Sequence, residues 1–297
     1  MSFLTKIAHL VKDPPPEYAF EVSEAGIAWM NTTTDSAPQW KPFSAGTIRV
    51  SPLKDNILAA DSYRAMVESF ASTNGNRKSR RAALILPDYC SRLGVLDFDT
   101  FPGEHEEQLA LVRFRVKRGL ALDVESANLS WFAQPKAPHS SRVEVVVAVI
   151  SPEIAARYEA PFRAAGFHTG FVTVSALAAL ALGPSSQGNT GVVMKRSGRV
   201  LALSVLQGHS LKMIRCVELS HGSEDEVWDV LLPTIAYMED QLASRPESIK
   251  ICGFEASSDV AERWSQDLGA PVVRAVSKFG EPGPYNAGLL GYLETLE

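Results

Sequence analysis

The sequence has few cysteines and lacks the short motifs of the common enzyme classes. Its three cysteines, Cys90, Cys216 and Cys252, are far apart, and each lies in or beside an apolar run. This placement is typical of reduced core thiols in a cytoplasmic protein. The chain contains no G-x-S-x-G, H-E-x-x-H or G-x-G-x-x-G motif, and its six histidines have no metal-ligand spacing. The sequence therefore predicts neither a catalytic constellation nor a metal site.

Long apolar runs and a strong positive charge are also missing. No apolar run approaches the roughly 18–20 residues that are needed to span a bilayer, and no signal peptide is visible at the start of the chain. The net charge of −5 argues against general nucleic-acid binding. With 297 residues, 45% of them hydrophobic and 21% charged, the chain is predicted to be a soluble globular protein of about two domains.

One strand pattern occurs twice in the chain. Residues 191–219 favour three consecutive strands, because β-branched and aliphatic residues fill the runs and glycine and serine stand at the breaks. Residues 18–50 repeat this pattern, and Gly26 then aligns with Gly198. The repeat suggests two related domains that each open with a meander. Because this alignment matches only one glycine, the alternative is that the two meanders are unrelated.

The remaining hydrophobic periodicity alternates between helices and strands, which favours an α/β sheet with covered faces. An amphipathic helix is expected at 2–13, and a linker at 183–189. Further helices are predicted at 55–72, 104–120, 154–165, 175–182, 223–244, 258–268 and 285–295, and further strands at 82–86, 91–100, 128–134, 142–151, 167–174, 248–252 and 271–274.

Four basic residues close the helix predicted at 104–120, namely Arg113, Arg115, Lys117 and Arg118. Glutamates open the same helix, so both ends match the helix dipole. We predict that the basic end contributes to a partner-binding surface. The alternative is a solvated helix face with no partner.

Several segments together resemble the PilM family of actin-like type IV pilus assembly proteins, and they are also similar to the cytoplasmic actin-like domain of GspL. The resemblance covers nearly the whole chain and rests on the order and spacing of its landmarks. These are the meander near Phe20, residues 82–90, 101–116 and 143–182, the second meander, and residues 249–254 and 284–294.

The resemblance implies an actin-like two-domain fold of the ribonuclease H-like class, with a duplicated β-meander and an inserted subdomain. Residues 1–185 would form the first domain, with the inserted subdomain at about 82–150. Residues 186–284 would form the second domain, and residues 285–297 a terminal helix that returns to the first.

The resemblance also implies a function. It predicts a non-catalytic scaffold on the cytoplasmic face of the inner membrane, in a type IV pilus or type II secretion assembly platform. Its expected partner is the cytoplasmic N-terminal peptide of a PilN-like membrane protein, held in a groove between the first subdomain and the insertion. Assembly motor ATPases are further expected partners. The alternatives are an ATP-binding switch of the same machine and a sugar or acetate kinase of the same fold superfamily.

Two turns that would contact a nucleotide depart from the family pattern. Actin-like ATPases carry Asp-x-Gly in the first turn of each meander, where the acid helps to hold Mg²⁺ and its waters. By alignment, Glu21 takes the acid position in the first turn and Ser23 replaces the glycine. In the second turn, Met194 replaces the acid and Arg196 the glycine.

The third turn has one glycine, Gly253, where the family has a pair. Phe254 and Glu255 follow it and are expected to obstruct or repel a nucleotide. With all three turns degenerate, the sequence predicts no cofactor and no ATPase activity. ATP binding stays open as the alternative, because Lys195 and Arg196 are cations that attract anions.

Overall fold

The structure, a computed structural model, describes residues 15–71, 80–119, 124–136, 142–183, 190–254 and 258–296. The amphipathic helix predicted at 2–13 lies outside the described residues, as do Glu255 and nearly all of the linker predicted at 183–189.

Thirteen strands and seven α-helices make up the described chain. The strands are β1 (Tyr18–Val22), β2 (Gly26–Asn31), β3 (Gln39–Pro42), β4 (Arg80–Leu86), β5 (Arg92–Phe98), β6 (Asn128–Ala133), β7 (Val143–Ile150), β8 (Phe167–Val174), β9 (Thr190–Ser197), β10 (Val200–Gln207), β11 (Ser210–Glu218), β12 (Ser248–Cys252) and β13 (Val272–Arg274). The helices are α1 (Ala60–Ala71), α2 (His105–Gly119), α3 (Pro152–Ala164), α4 (Ser175–Ala178), α5 (Glu224–Leu242), α6 (Ser258–Leu268) and α7 (Ala287–Glu294).

The first two sheets share one topology. The first sheet has the order β3-β2-β1-β4-β8 and the second β11-β10-β9-β12-β13. In each, an antiparallel meander of three strands comes first, and two parallel strands then extend the sheet beyond its first strand. The duplicated meander predicted from the sequence is therefore confirmed.

The first two strands of the second meander, β9 and β10, are largely buried. Every residue of β10 except the last is buried, so this strand lies in the centre of the molecule. The turn between β9 and β10 needs a residue with positive φ, and Gly198 supplies it at 58°. Local sequence thus defines the hairpin, and burial stabilises it.

The inserted subdomain is a third, antiparallel sheet of order β5-β7-β6, with α2 packed on one face. It begins at Arg92 rather than near residue 82, because β4 pairs in parallel with β1 and β8 of the first sheet. The insertion also rests on the second sheet. The ammonium of Lys212 in β11 lies 2.7 Å from a carboxylate oxygen of Glu144 in β7.

Two boundaries in the first domain were predicted wrongly. The third strand of the first meander ends at Pro42 instead of residue 50, and α1 begins at Ala60 instead of residue 55. A carboxylate oxygen of Asp55 accepts a hydrogen bond from the amide of Ile57 at 3.0 Å, which fixes a turn. Ile57 then forms an isolated bridge with Ile48. The residues from Asp55 to Ile57 therefore form a turn, and the helix begins after it.

A single hydrophobic cluster crosses the boundary between the two domains. Residues of the first domain make up most of it, and seven of its buried side chains are aromatic. The second sheet adds five buried residues to the same cluster, namely Val193, Ala202, Leu206, Leu211 and Ile214. The two domains therefore share one core.

The C-terminal helix α7 packs closely on α4 and on the 3-10 turn that follows it. A Cβ atom at Gly288 would meet the side chain and backbone of Ser175, and one at Gly291 would meet the backbone of Ala178. Only glycine allows this approach, so the two glycines set the distance between the helices.

Candidate functional site

A buried glutamate, Glu21, lies at the C-terminal end of β1. Glu21 is 2% exposed. One of its carboxylate oxygens accepts a hydrogen bond from the Ser175 hydroxyl, and the other accepts one from the backbone amide of Leu289 at 2.7 Å. Glu21 thereby connects β1 to the first turns of α4 and α7.

A buried ion pair lies next to it and joins the two domains. Asp88 follows β4 in the first domain, and Lys195 lies on β9 in the second. The Lys195 ammonium donates to a carboxylate oxygen of Asp88 at 2.7 Å, and the two side chains are 3% and 1% exposed. The other Asp88 oxygen accepts from the backbone amide of Ala176. Both carboxylate oxygens of Asp88 are therefore satisfied within the protein.

The three charged groups influence one another. Burial raises the pKa of Glu21 above its ordinary value, and the Lys195 ammonium and the Ser175 hydroxyl partly offset this effect. Burial alone would lower the pKa of Lys195. Attraction to Asp88 and to Glu21 outweighs burial, so the pKa of Lys195 lies above its ordinary value. Lys195 is therefore a cation at neutral pH.

Strand register corrects the sequence alignment by one residue. Glu21 is the last residue of β1 that pairs with the parallel strand β4, opposite Ile85. Lys195 is the last residue of β9 that pairs with the parallel strand β12, opposite Cys252. Lys195, and not Met194, therefore stands where Glu21 stands in the first domain. Successive strand residues point to opposite faces, so Met194 packs into the core of the second domain.

The predicted turn positions are filled by neighbouring protein groups. Ser23 is buried, and its hydroxyl both donates to the carbonyl and accepts from the amide of Gly26. Gly253 has a φ of 72°, and a Cβ atom there would meet the carbonyl oxygen of Arg196 and the backbone of Pro284. Phe254 is buried, with its ring edge-on to Trp264 at 6.3 Å between centroids.

A groove runs between the first sheet and the inserted sheet. It encloses about 390 Å³ and is mostly apolar. One wall is β8, the edge strand of the first sheet, where Phe171 is 44% and Val172 is 39% exposed. The opposite wall is formed by the beginning of β6, which is the edge strand of the inserted sheet, and the end of β7. The edge strands of two sheets thus border one apolar groove.

The basic residues of α2 lie elsewhere, since none of the four lines this groove. Arg115 donates to the carbonyl of Asp97 at 2.9 Å. Lys117 pairs with Glu125 at 3.1 Å. The guanidinium of Arg118 lies 5.6 Å from the ring centre of Phe114 on the same helix. Arg113 belongs to the same helix and is only partly exposed. Their role in partner binding stays a prediction.

No protein-family model matches the sequence, and no curated protein is significantly similar to it. Solved structures do match. In the PilM-PilN type IV pilus biogenesis complex, PilM is 17% identical with a TM-score of 0.73, and the match covers 96% of this chain and 99% of that one. The cytoplasmic domain of EpsL, an inner membrane component of the type II secretion system of Vibrio cholerae, is 14% identical with a TM-score of 0.51, covering 94% of both chains.

A Bacteroides thetaiotaomicron protein with an actin-like ATPase fold is 10% identical with a TM-score of 0.52, and the match covers 99% of this chain and 98% of that one. This chain has the actin-like ATPase fold. The buried cluster of Glu21, Asp88 and Lys195 lies where the two actin-like domains meet. Within the described parts of the chain, no helix is both long and apolar enough to cross a membrane.

Protein groups occupy the junction of the two actin-like domains. The Lys195 ammonium already neutralises Asp88, and its positive charge would repel a metal ion beside that carboxylate. No described group of three or more His, Cys, Asp or Glu residues is arranged to hold a metal. The backbone of Arg196 and Pro284 lies so close to Gly253 that no side chain fits at that position.

Sequence reasoning singled out Glu21 and named Lys195 as a cation, but it did not single out Asp88 or predict that Asp88 and Lys195 pair. Asp88 follows a buried strand in a Pro-Asp pair, and Lys195 interrupts an apolar strand. A lysine within such a strand requires a buried counter-charge, because an unpaired buried ammonium is strongly unfavourable. That signal predicts an ion pair, but it does not predict which acid completes it.

Proposed function

We propose that this protein is a non-catalytic scaffold of a type IV pilus or type II secretion assembly platform. It binds the cytoplasmic N-terminal peptide of a PilN-like inner-membrane protein, which recruits it to the inner face of that membrane. The groove between β8 and β6 carries this proposal, because it offers a strand edge and an apolar wall together. The likeness to PilM, whose solved complex contains PilN, supports the choice of partner.

The groove suits an extended peptide. An edge strand presents unpaired backbone amides and carbonyls, with which an incoming strand forms hydrogen bonds. The exposed side chains of Phe171 and Val172 then provide apolar contacts for alternate peptide residues. Backbone pairing gives affinity in this mode, and the side-chain pockets give specificity.

We infer that the scaffold works without nucleotide. The internal ion pair and the filled turns support this inference. A thermal-shift titration with Mg-ATP and Mg-ADP tests it, because a ligand at 100 times its dissociation constant stabilises the native state by about 2.7 kcal/mol. We expect no shift at millimolar nucleotide. A magnesium-dependent shift would favour the ATP-binding switch instead.

Peptide binding is tested by isothermal titration with the cytoplasmic N-terminal peptide of a PilN-like membrane protein. Val172→Arg places a charge in the groove and is expected to weaken binding at least tenfold. Val276→Arg is the matched control, because Val276 is 78% exposed and lies outside the groove. The proposal fails if the wild type does not bind the peptide, or if both variants bind it as the wild type does.

A further inference from the structure

We propose that Lys195 is a resident cation that holds the two actin-like domains closed against each other with no bound ligand. A side chain of the second domain reaches a buried carboxylate of the first. This inference concerns the domain junction and is independent of peptide binding.

Burial sets this ion pair apart from the other salt bridges of the described residues. In every other pair, at least one side chain is 24% exposed or more. In the pair of Lys195 and Asp88 the exposed fractions are 3% and 1%. Water therefore screens this interaction much less than it screens the exposed pairs.

The negative charge of the cluster is partly compensated only when the domains are closed. Two carboxylates, Glu21 and Asp88, lie in the first domain, and the single ammonium, Lys195, comes from the second. Separation of the domains would withdraw the cation and leave two buried acids without a counter-charge. Removal of one partner from a buried pair is strongly unfavourable. The closed arrangement is therefore the low-energy one without nucleotide.

The remaining groups of the cluster come from α4 and α7, and α7 packs on the first sheet. The hydroxyl of Ser175 and the amide of Leu289 donate to Glu21, and the amide of Ala176 donates to Asp88. These hydrogen bonds satisfy the acids from one side only. Lys195 supplies the charged contact from the other domain and adds to the shared hydrophobic core in holding the domains together.

Replacement of Lys195 by alanine, followed by chemical rescue, tests the proposal. Lys195→Ala removes three methylene groups and the ammonium, and propylammonium has the same atoms. We expect the variant to lose about 10 °C in melting temperature and to show a larger radius of gyration in X-ray scattering. Propylammonium chloride is expected to restore part of both values, whereas sodium chloride at equal concentration is not.

Lys212→Ala is the matched control, because Lys212 pairs with Glu144 between the insertion and the second domain. Its radius of gyration is expected to equal that of the wild type, with no effect of propylammonium. The proposal is overturned if Lys195→Ala keeps the wild-type radius and melting temperature, or if both salts act alike. Contraction of the wild type on addition of Mg-ATP would overturn it as well.

A second pair of variants keeps the test decisive if Lys195→Ala does not fold. Lys195→Met leaves the acids uncompensated, whereas the double variant Lys195→Met with Asp88→Asn removes one charge of each sign. If the ammonium holds the domains through Asp88, the double variant is the more stable of the two. A double variant that is no more stable than Lys195→Met contradicts the proposal.

Discussion

The side-chain amide of Gln134 forms both hydrogen bonds of a β-bridge with the backbone of Leu211. The Gln134 amide nitrogen donates to the Leu211 carbonyl at 2.7 Å, and the Gln134 amide oxygen accepts from the Leu211 amide at 2.7 Å. Gln134 follows β6 of the insertion, and Leu211 lies on β11 of the second domain. One glutamine therefore attaches the insertion to a strand that it does not pair with.

Gln134→Leu should destabilise the protein by about 2 kcal/mol or more, because it leaves the buried amide and carbonyl of Leu211 without partners. Urea denaturation measures the effect. Gln39→Leu is the matched control, since Gln39 is exposed on β3 and its amide contacts Asp35 at 3.4 Å. A change for Gln134→Leu as small as that of the control would contradict the role given to this contact.

Asp88→Asn should destabilise the protein by about 3 kcal/mol or more, because it removes the nearest counter-charge of a buried ammonium. Equilibrium unfolding in urea measures the loss. Asp61→Asn serves as the control, because Asp61 pairs with Arg64 on the exposed face of α1, and exposed pairs contribute little. Equal stabilities of the two variants would show that the buried pair is not required.

Gly291→Ala should destabilise the protein by about 1–3 kcal/mol, although alanine favours helices, because its Cβ atom would meet the backbone of Ala178. Thermal unfolding gives the difference in stability. Gly119→Ala is the control, because nothing lies within 4 Å of a Cβ atom at that end of α2. If Gly291→Ala were as stable as the wild type, the close approach of α7 would not be required.

Glu226→Gln should lower the melting temperature at pH 7. The carboxylate of Glu226 accepts hydrogen bonds from the backbone amides of Ser220, His221 and Gly222. Those amides lower the pKa of Glu226 from 4.5 to about 2. A depressed folded-state pKa means that the stabilisation is present above pH 4.5 and is lost as the pH falls toward 2.

The difference between Glu226→Gln and the wild type should therefore shrink over that same acidic range. Melting curves between pH 7 and pH 2 follow it. Glu224→Gln, two residues earlier and in contact with Arg263 at 3.5 Å, controls for loss of a charge at the start of α5. A difference in melting temperature that stays constant with pH would contradict the stabilisation assigned to the three hydrogen bonds of Glu226.

Elements that local sequence determines were predicted well. The second meander was predicted at residues 191–219 and occupies β9 to β11, because glycine turns and apolar runs define it without distant contacts. The start of α1 was predicted five residues too early, because the turn at Asp55 depends on hydrogen bonds that composition does not reveal.

The candidate site was harder to predict, because its partners are far apart in the chain. Lys195 and Asp88 are separated by 107 residues, and no local pattern pairs them. The choice of Met194 over Lys195 was a one-residue error in alignment. In a strand such an error exchanges the two faces, so a core residue took the place of the buried cation.

The hydrophobic cluster that crosses the domain boundary makes folding of the two halves interdependent. Neither half of the chain buries Leu211 and Ile214 alone, since their partners come from both sides of residues 183–190. A chain cut there should yield two fragments that are each poorly folded and that recover native structure when mixed. The boundary between the two halves of the sequence is therefore not a boundary between two separate hydrophobic cores.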